Sequence, residues 1–351
     1  MSPAGAVKRL ALALLLLLRF LFPAGCITLM SYNVENLFDD VDNGTEFKEF
    51  DPGRGAWNGE FFKLRIDTIA EVIRKVAAGG PDVLVLQEIE NENALRALVG
   101  GGLKGMGYDH LALAPKKKLT ANVGIASRLP IVRVHTHHVG PWKRNPVRDI
   151  LEVELQAGEN TLHLFDVHWK SKTGGTRETE ASRLESSGAI AKRIREILAQ
   201  DPAADIVVAG DMNENLDEYS RVGRKYQTAL IPASARTPSE YARRSLFLAG
   251  SARGMDTAGE RIVLYDPWFE LEEGMRGSYV YQGEWQTMDH FLLSPGLLDS
   301  HGFTYRRGSF TVARLPFLLS PNGSPKKWNG LKGQRGYSDH LPLLITLEVG
   351  K

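Results

Sequence analysis

Short apolar runs recur at residues 27–32, 83–86, 162–167, 206–209, 291–293 and 341–349, each with the length and β-branched content of a strand. The last alternates in part, as a half-buried strand does. Ile206-Val207-Val208-Ala209 is apolar throughout and predicts a central strand covered on both faces. Two stretches carry the helical period instead. Phe62, Ile66, Ile69, Ile73 and Val76 recur at spacings of three and four until Gly79-Gly80-Pro81 stops the pattern. Leu184, Ile190, Ile194, Ile197 and Leu198 form a second stripe, ended by Asp201-Pro202. Helices alternate with strands in the first part of the chain, and the second part is richer in strands and loops. No repeat or linker divides the sequence, so one α/β domain over residues 27–351 is the simpler reading. The stretch 216–283 reads as a long irregular loop, of the kind that is functional or disordered in a compact domain.

Ahead of these elements, Lys8-Arg9 precede an apolar run over 10–18 that Arg19 interrupts before Phe20 to Phe22. A short basic region followed by a short apolar run reads as a signal peptide within residues 1–26, because a membrane span needs about 20 unbroken apolar residues. Cys26 is the single cysteine, so no intrachain disulfide forms. The residues before it are similar to a bacterial lipobox, although Pro23 fits that pattern poorly and Ile27 already opens a strand, leaving no tether. Simple cleavage near this point and lipidation at Cys26 both stand, the second bringing membrane association. Either places the mature chain outside the cytoplasm, secreted, periplasmic or at the envelope.

A net charge of +1 supplies no global field for polyanions, so any attraction must be local. Candidate patches are Lys116-Lys117-Lys118, the group Lys326, Lys327, Lys332 and Arg335, and the run Arg221, Arg224, Lys225, Arg236, Arg243, Arg244 and Arg253, which faces a single acid, Glu240. Each reads either as solvated surface or as a phosphate-facing patch.

The chemistry-bearing residues collect at strand ends. Asn33 and Glu35 follow the first run, Glu88 the second, His168 the third, and Asp211 and Asn213 follow the fourth across Gly210; Asp289-His290 and Asp339-His340 precede the last two. In an antiparallel or mixed sheet the end of one strand and the start of its neighbour share an edge, so these groups can meet on one rim. Acids, imidazoles and amides on one rim suit a hard divalent cation with acid/base chemistry: Mg²⁺, with Mn²⁺ as the alternative. The lone cysteine excludes a thiolate zinc site. Singly, each residue is also explained as a turn or a cap; their joint occurrence at matching strand ends favours function. His135, His137 and His138 invite a metal reading, but with no acid cluster nearby in sequence they read as ordinary strand residues. Trp142, Trp169, Trp268 and Trp285 read as packing ahead of base stacking.

Met30-Ser31-Tyr32-Asn33-Val34-Glu35-Asn36, Leu86-Gln87-Glu88-Ile89, Asp166-Val167-His168-Trp169-Lys170, Gly210-Asp211-Met212-Asn213, Met288-Asp289-His290 and Ser338-Asp339-His340 resemble, in order, the motifs of the endonuclease/exonuclease/phosphatase superfamily, the DNase I-like proteins. Residues 122–128 also resemble its central strand. The resemblance implies a four-layered α/β sandwich, two packed, mainly antiparallel sheets flanked by helices. It implies Glu88 as the principal metal ligand with Asn33 and Asp339 close to the ion, His168 and Asn213 as phosphate or transition-state contacts, and Asp211 as the residue that orients or deprotonates water. Asp289 would then support His340, Arg148 would contact phosphate, and Lys170 is a candidate to steer substrate.

The expected function is a Mg²⁺-dependent phosphodiester hydrolase, a nuclease with nucleic acid as substrate, since the basic residues are spread over several loops around the rim. Inositol-phosphate phosphatases and sphingomyelinases share the same catalytic set and stay open, as does a non-catalytic phosphate-binding member. No obligate protein partner is called for.

Overall fold

The computed structural model describes residues 25–44, 46–116, 119–255, 260–332 and 336–350. Most of the leader, together with Lys117, Lys118 and Arg335, lies outside them. Two large sheets pack against each other. The first contains β1 (Cys26–Leu37), β2 (Val83–Ile89), β3 (His110–Leu113), β4 (Asn122–Ser127), β15 (Phe303–Tyr305) and β17 (Leu343–Val349) in the order β15-β17-β1-β2-β4-β3, with β16 (Thr311–Val312) also on β17. The second is built from β5 (Ile131–His137), β6 (Ile150–Ala157), β7 (Asn160–His168), β8 (Asp205–Asp211), β9 (Leu230–Pro232), β10 (Leu246–Ala249), β11 (Ile262–Tyr265) and β14 (Asp289–Leu293), ordered β5-β6-β7-β8-β14-β11-β10-β9. The pairs β1–β2, β7–β8, β9–β10 and β10–β11 run parallel, and the other ladders are antiparallel. A separate hairpin joins β12 (Tyr279–Tyr281) to β13 (Glu284–Gln286).

Strand alternation explains the layers. On β1 and β2, Leu29, Val83 and Val85 point into a core shared with Val153, Leu164, Val207 and Phe291 of the second sheet. Their neighbours Met30, Leu84 and Leu86 point the other way, onto Phe62, Ile66, Ile69 and Ile73 of helix α1 (Gly59–Val76). Asn58 caps α1 by accepting from the Glu60 and Phe61 N–H groups. Short α2 (Glu92–Ala97) lies on the same side of the first sheet, where Leu95 joins that apolar cluster. Helix α3 (Thr176–Gln200) packs on β10 and β11 with Ile190, Ile194 and Ile197 inward. The result is the helix–sheet–sheet–helix sandwich.

Two expectations change. The stretch 216–283 is no long loop: besides a single turn of helix, α4 (Glu218–Arg221), it contributes β9, β10 and β11 to the second sheet. Three- and four-residue strands are too short to register as a period. Helix α3 also begins two turns before its apolar stripe, because its first turns bury Thr179, Glu180 and Arg183.

Candidate active site

Three strands of the second sheet set half of the site by register alone. His168, the last residue of β7, lies beside Asp211, the last of β8, in the parallel ladder. Asp211 lies opposite Asp289, the first of β14, in the antiparallel ladder. Gly210 permits this arrangement: its φ is +130°, and a Cβ there would come within 2.1 Å of the Val167 carbonyl oxygen. All seven residues of β8 are buried, so the rim stands on a fully covered strand of the sheet.

His340, just ahead of β17, joins this row from the first sheet. Its Nδ1 is 2.7 Å from Asp289 Oδ2, which also accepts from the Ser278 hydroxyl. The Tyr279 ring lies against the imidazole, with centroids 4.7 Å apart. Ser338 Oγ accepts from His340 N–H and donates to the Asn33 carbonyl, tying the loop to β1. His340 Nε2 stands 3.8 Å from Asp211 Oδ2. Burial works against a charged imidazole here, but the Asp289 and Asp211 carboxylates override it and hold the His340 proton well above the usual histidine range. His168 goes the other way. Burial, with the positive charges of Arg148, His340 and Lys170 adding to it, keeps that imidazole neutral. Its Nε2 is 3.4 Å from Asp211 Oδ2. Burial raises the Asp211 carboxyl to about 7, Asp289 and Glu88 adding to the rise against the pull of His340. Asp211 Oδ1 accepts from Asn213 N–H.

The other half belongs to β1 and β2, and it depends on irregular backbone. The β1–β2 register shifts between Asn33 and Leu37, and the β2–β4 register shifts at Glu88. Glu35, Asn36 and Glu88 take φ values of 51°, 68° and 66°, in the left-handed region. Asn213, on the opposite flank, does the same at 51°. Arg65 of α1, fully buried, holds this turn: its guanidinium donates to the carbonyls of Glu35, Asn36 and Tyr337 and lies over the Trp328 ring. Asn33 Nδ2 donates to Glu88 Oε1 (3.2 Å) and Asp211 Oδ2 (3.1 Å), bridging the two sheets.

Glu35, Glu88 and Asp339 converge on a cleft of about 800 Å³ that His168, Asp211, Asn213 and His340 also line. Burial and the Asp339 charge raise Glu35 to about 7, and burial raises Glu88, with Asp339 adding to it against Arg148. Lys327 reaches Asp339 at 3.4 Å. Three mutually repelling oxygen donors on an open cleft fit a hard divalent cation. Glu35, Glu88 and Asp339 share the cleft lining, whereas Asp211, Asp289 and His340 are the residues of this site whose ligand atoms lie within 4.8 Å of one another, with His340 Nδ1 and Asp289 Oδ2 joined by their own hydrogen bond. In this arrangement Asn33 gives its oxygen to Glu35 N–H and turns its own N–H groups to the two acids, steadying them.

A family model described as the endonuclease/exonuclease/phosphatase family matches residues 28–228 and 244–349. The chain belongs to that family. Within it, a 5′-tyrosyl-DNA phosphodiesterase from Caenorhabditis elegans is 26% identical over 195 residues, 52% of this chain and 48% of that protein. The chain thus matches about half the length of this curated relative. Among solved structures, truncated C. elegans TDP2 aligns over 92% of this chain and 98% of its own, with 16% identity and a TM-score of 0.53. Zebrafish (D. rerio) TDP2, in a complex with a single-strand DNA product, aligns over 92% and 99%, with 15% identity and a TM-score of 0.54. A mannosyl-6-phosphatase from Bacteroides thetaiotaomicron aligns over 92% and 99%, with 15% identity and a TM-score of 0.52. Identities this low carry the fold alone.

Not every residue singled out in this family member reaches the cleft. Arg148 donates to the Ala121 carbonyl and stands behind the cleft, its charge acting on Glu88 and Asp211, and Lys170 turns to Ser171 and Thr173 and lies over Trp142; neither lines the cavity. Lys116 pairs with Asp149. The basic run after β8 splits: Arg221 lines the cleft, whereas Arg243 and Arg244 lie against α3 near Glu260 and Glu185. Gly188, beside Arg244, is twelve residues along α3 from Thr176 at the cleft, roughly 18 Å of helix. The histidines at the end of β5 do have acids nearby: β6 pairing brings Glu152 to His137, and just outside both strands His138 meets Asp149. Arg193 chelates that Glu152, which is fully used.

Sequence reasoning missed Arg65 and Arg183. Arg183, also fully buried, donates to Glu180, Glu214 and the Lys170 and Thr176 carbonyls, fastening the cleft wall to the residue after Asn213. The available signal was an arginine at an apolar phase of each helix, Arg65 beside Ile66 and Arg183 beside Leu184.

Proposed function

We propose that the chain is a divalent-cation-dependent phosphodiester hydrolase acting on nucleic acid, and that it works outside the cytoplasm. One observation carries the reading. His168, Asp211 and Asp289 stand side by side in register, and a protonated His340 addresses the same Asp211 oxygen beside the Glu35–Glu88–Asp339 acids.

Each residue has a task in this reading. His340, kept protonated by Asp289, presents a positive N–H to a phosphoryl oxygen as charge develops there. Asp211, raised to about 7, accepts a proton from water near neutral pH. Neutral His168 and the Asn213 amide offer N–H groups to the remaining oxygens. Asn33 keeps Asp211 and Glu88 in fixed relation. Mg²⁺ or Mn²⁺ held by Glu88, Asp339 and Glu35 would offset the phosphate's negative charge.

The names of the relatives support nucleic acid as substrate: one is a 5′-tyrosyl-DNA phosphodiesterase and another was crystallised with a single-strand DNA product. The mannosyl-6-phosphatase supports a second reading, a phosphomonoester of a sugar. The signal-peptide pattern before Cys26 supports an extracytoplasmic location, and residues 27–351 would be the mature domain. The test offers plasmid DNA, single-stranded RNA, mannose 6-phosphate and sphingomyelin to the purified chain with Mg²⁺, Mn²⁺ or EDTA. Nucleic-acid cleavage that EDTA abolishes is the expected result. Hydrolysis of mannose 6-phosphate alone moves the reading to the second class, and no hydrolysis with either metal sinks both.

A further inference from the structure

A second, open compartment of about 580 Å³ adjoins the cleft. Thr176, Glu218 and Arg221 line both spaces, and Arg177, Lys225 and Tyr226 line only the second. Thr176 and Arg177 are consecutive, with Cα atoms about 3.8 Å apart, so Arg177 stands one residue beyond the shared wall.

The charges of this compartment do not cancel. Glu218 is its only acid, and Glu218 Oε2 already accepts from Lys172 at 2.6 Å and from Asn215. Arg221 is matched by Asp217 at 2.6 Å. Arg177 and Lys225 are exposed, and neither has an ion-pair partner among the described residues. The Arg177 guanidinium is held 5.6 Å over the Tyr226 ring, leaving its planar fork to meet an oxyanion bidentately. Two uncompensated cations beside a site built for a phosphodiester call for a second anionic group of the same molecule. An isolated phosphoester has none to offer, whereas a nucleic-acid strand carries one per nucleotide.

We propose that this compartment is a second phosphate-binding subsite, holding the phosphodiester adjacent to the reacting one in a single strand, so that Arg177 and Lys225 select polymers over small phosphoesters. The inference rests on the phosphodiesterase reading of the cleft.

The experiment compares the full chain with its R177A/K225A double variant on a hexanucleotide and on a dinucleoside monophosphate, which has one phosphodiester and no neighbour. The double variant should raise KM about tenfold for the hexanucleotide, with kcat and the dinucleoside KM near wild type. Its slope of log affinity against log salt should flatten by about 0.7 to 1.4, one or two counterions on a single strand. An unchanged hexanucleotide KM, or an equal rise on both substrates, overturns the proposal. Should the wild type cleave neither, the phosphodiesterase reading has failed separately. Anisotropy of a fluorescein-labelled hexanucleotide on His340→Ala protein in EDTA then decides: binding about tenfold weaker in the triple variant supports the subsite, and equal binding overturns it.

Discussion

The two flanks of the cleft reach a comparable order by different means. On the β7–β8–β14 flank, His168, Asp211 and Asp289 are aligned by ordinary ladders, with Gly210 and, just past β8, Asn213 as the local exceptions. On the β1–β2 flank, Glu35, Asn36 and Glu88 sit in left-handed, bulged backbone that costs energy residue by residue. Arg65 is what restrains it, from a helix with no other part in the site. The register flank is buried and places the acid/base groups. The bulged flank is half-buried and opens its acids to the cleft. Regular pairing gives precision where side chains must meet one another. Irregular backbone turns carboxylates outward, where a ligand must meet them.

The largest effect expected is Gly210→Ala. The new Cβ would collide with the Val167 carbonyl, separating β7 from β8, and loss of the folded state by circular dichroism is the expected result. A variant that melts within a few degrees of wild type would show that close strand approach is not what sets this flank. Next comes His340→Ala, expected to lower kcat by about 10³ in a protein that still folds but melts several degrees lower, because buried Asp289 loses its partner. Near-full activity in a folded variant would remove His340 from the chemistry.

Arg65→Lys tests the other flank. An ammonium cannot reach three carbonyls as a planar fork does, so Mg²⁺ affinity should fall about 10- to 100-fold and stability by about 2–4 kcal/mol. Unchanged metal titration would mean that the bulges hold themselves. Asp289→Asn should shift the alkaline limb of the kcat profile to lower pH, since the carboxylate that retains the His340 proton is gone; an unmoved limb would assign that titration elsewhere.

The smallest effect is Glu35→Gln, read as Tm in EDTA. Glu35 is raised to about 7 from an ordinary 4.5, so between those values the folded chain holds a proton that the unfolded chain has released. Stability should therefore decline as pH rises from about 4.5 to 7 and level off above. The glutamine variant should lose the Glu35 share of that decline, with Asp211 still titrating in the same window, and melt a few degrees higher at pH 8; an unaltered Tm profile would place the titration on the other acids alone.

The register flank was legible in the sequence because apolar runs mark strands, and the polar residue that ends a run is conspicuous. His168, Asp211 and Asp289 were found this way, and the ladders then put them side by side. Little marks a bulge. Glu35 and Glu88 are visible as acids after a strand, but nothing local says that their backbone turns left-handed, since that depends on Arg65, thirty residues from Glu35. Helix α3 was seen only where it is apolar, and β9 to β11 were too short to leave a period. The basic run after β8 was visible as charge, but only the fold separates Arg221 at the cleft and Lys225 in the adjoining compartment from Arg243 and Arg244 on α3.

The first strand has a further consequence. Cys26, exposed, opens β1 and pairs with Glu348 near the end of β17, and Gly25 accepts from Val349 N–H, so both ends of the described chain leave from one edge. Asn33 lies seven residues on, about 23 Å along the strand. A bead, a dye or a lipid bilayer coupled at Cys26 would grip the molecule from behind and leave the mouth of the cleft pointing outward.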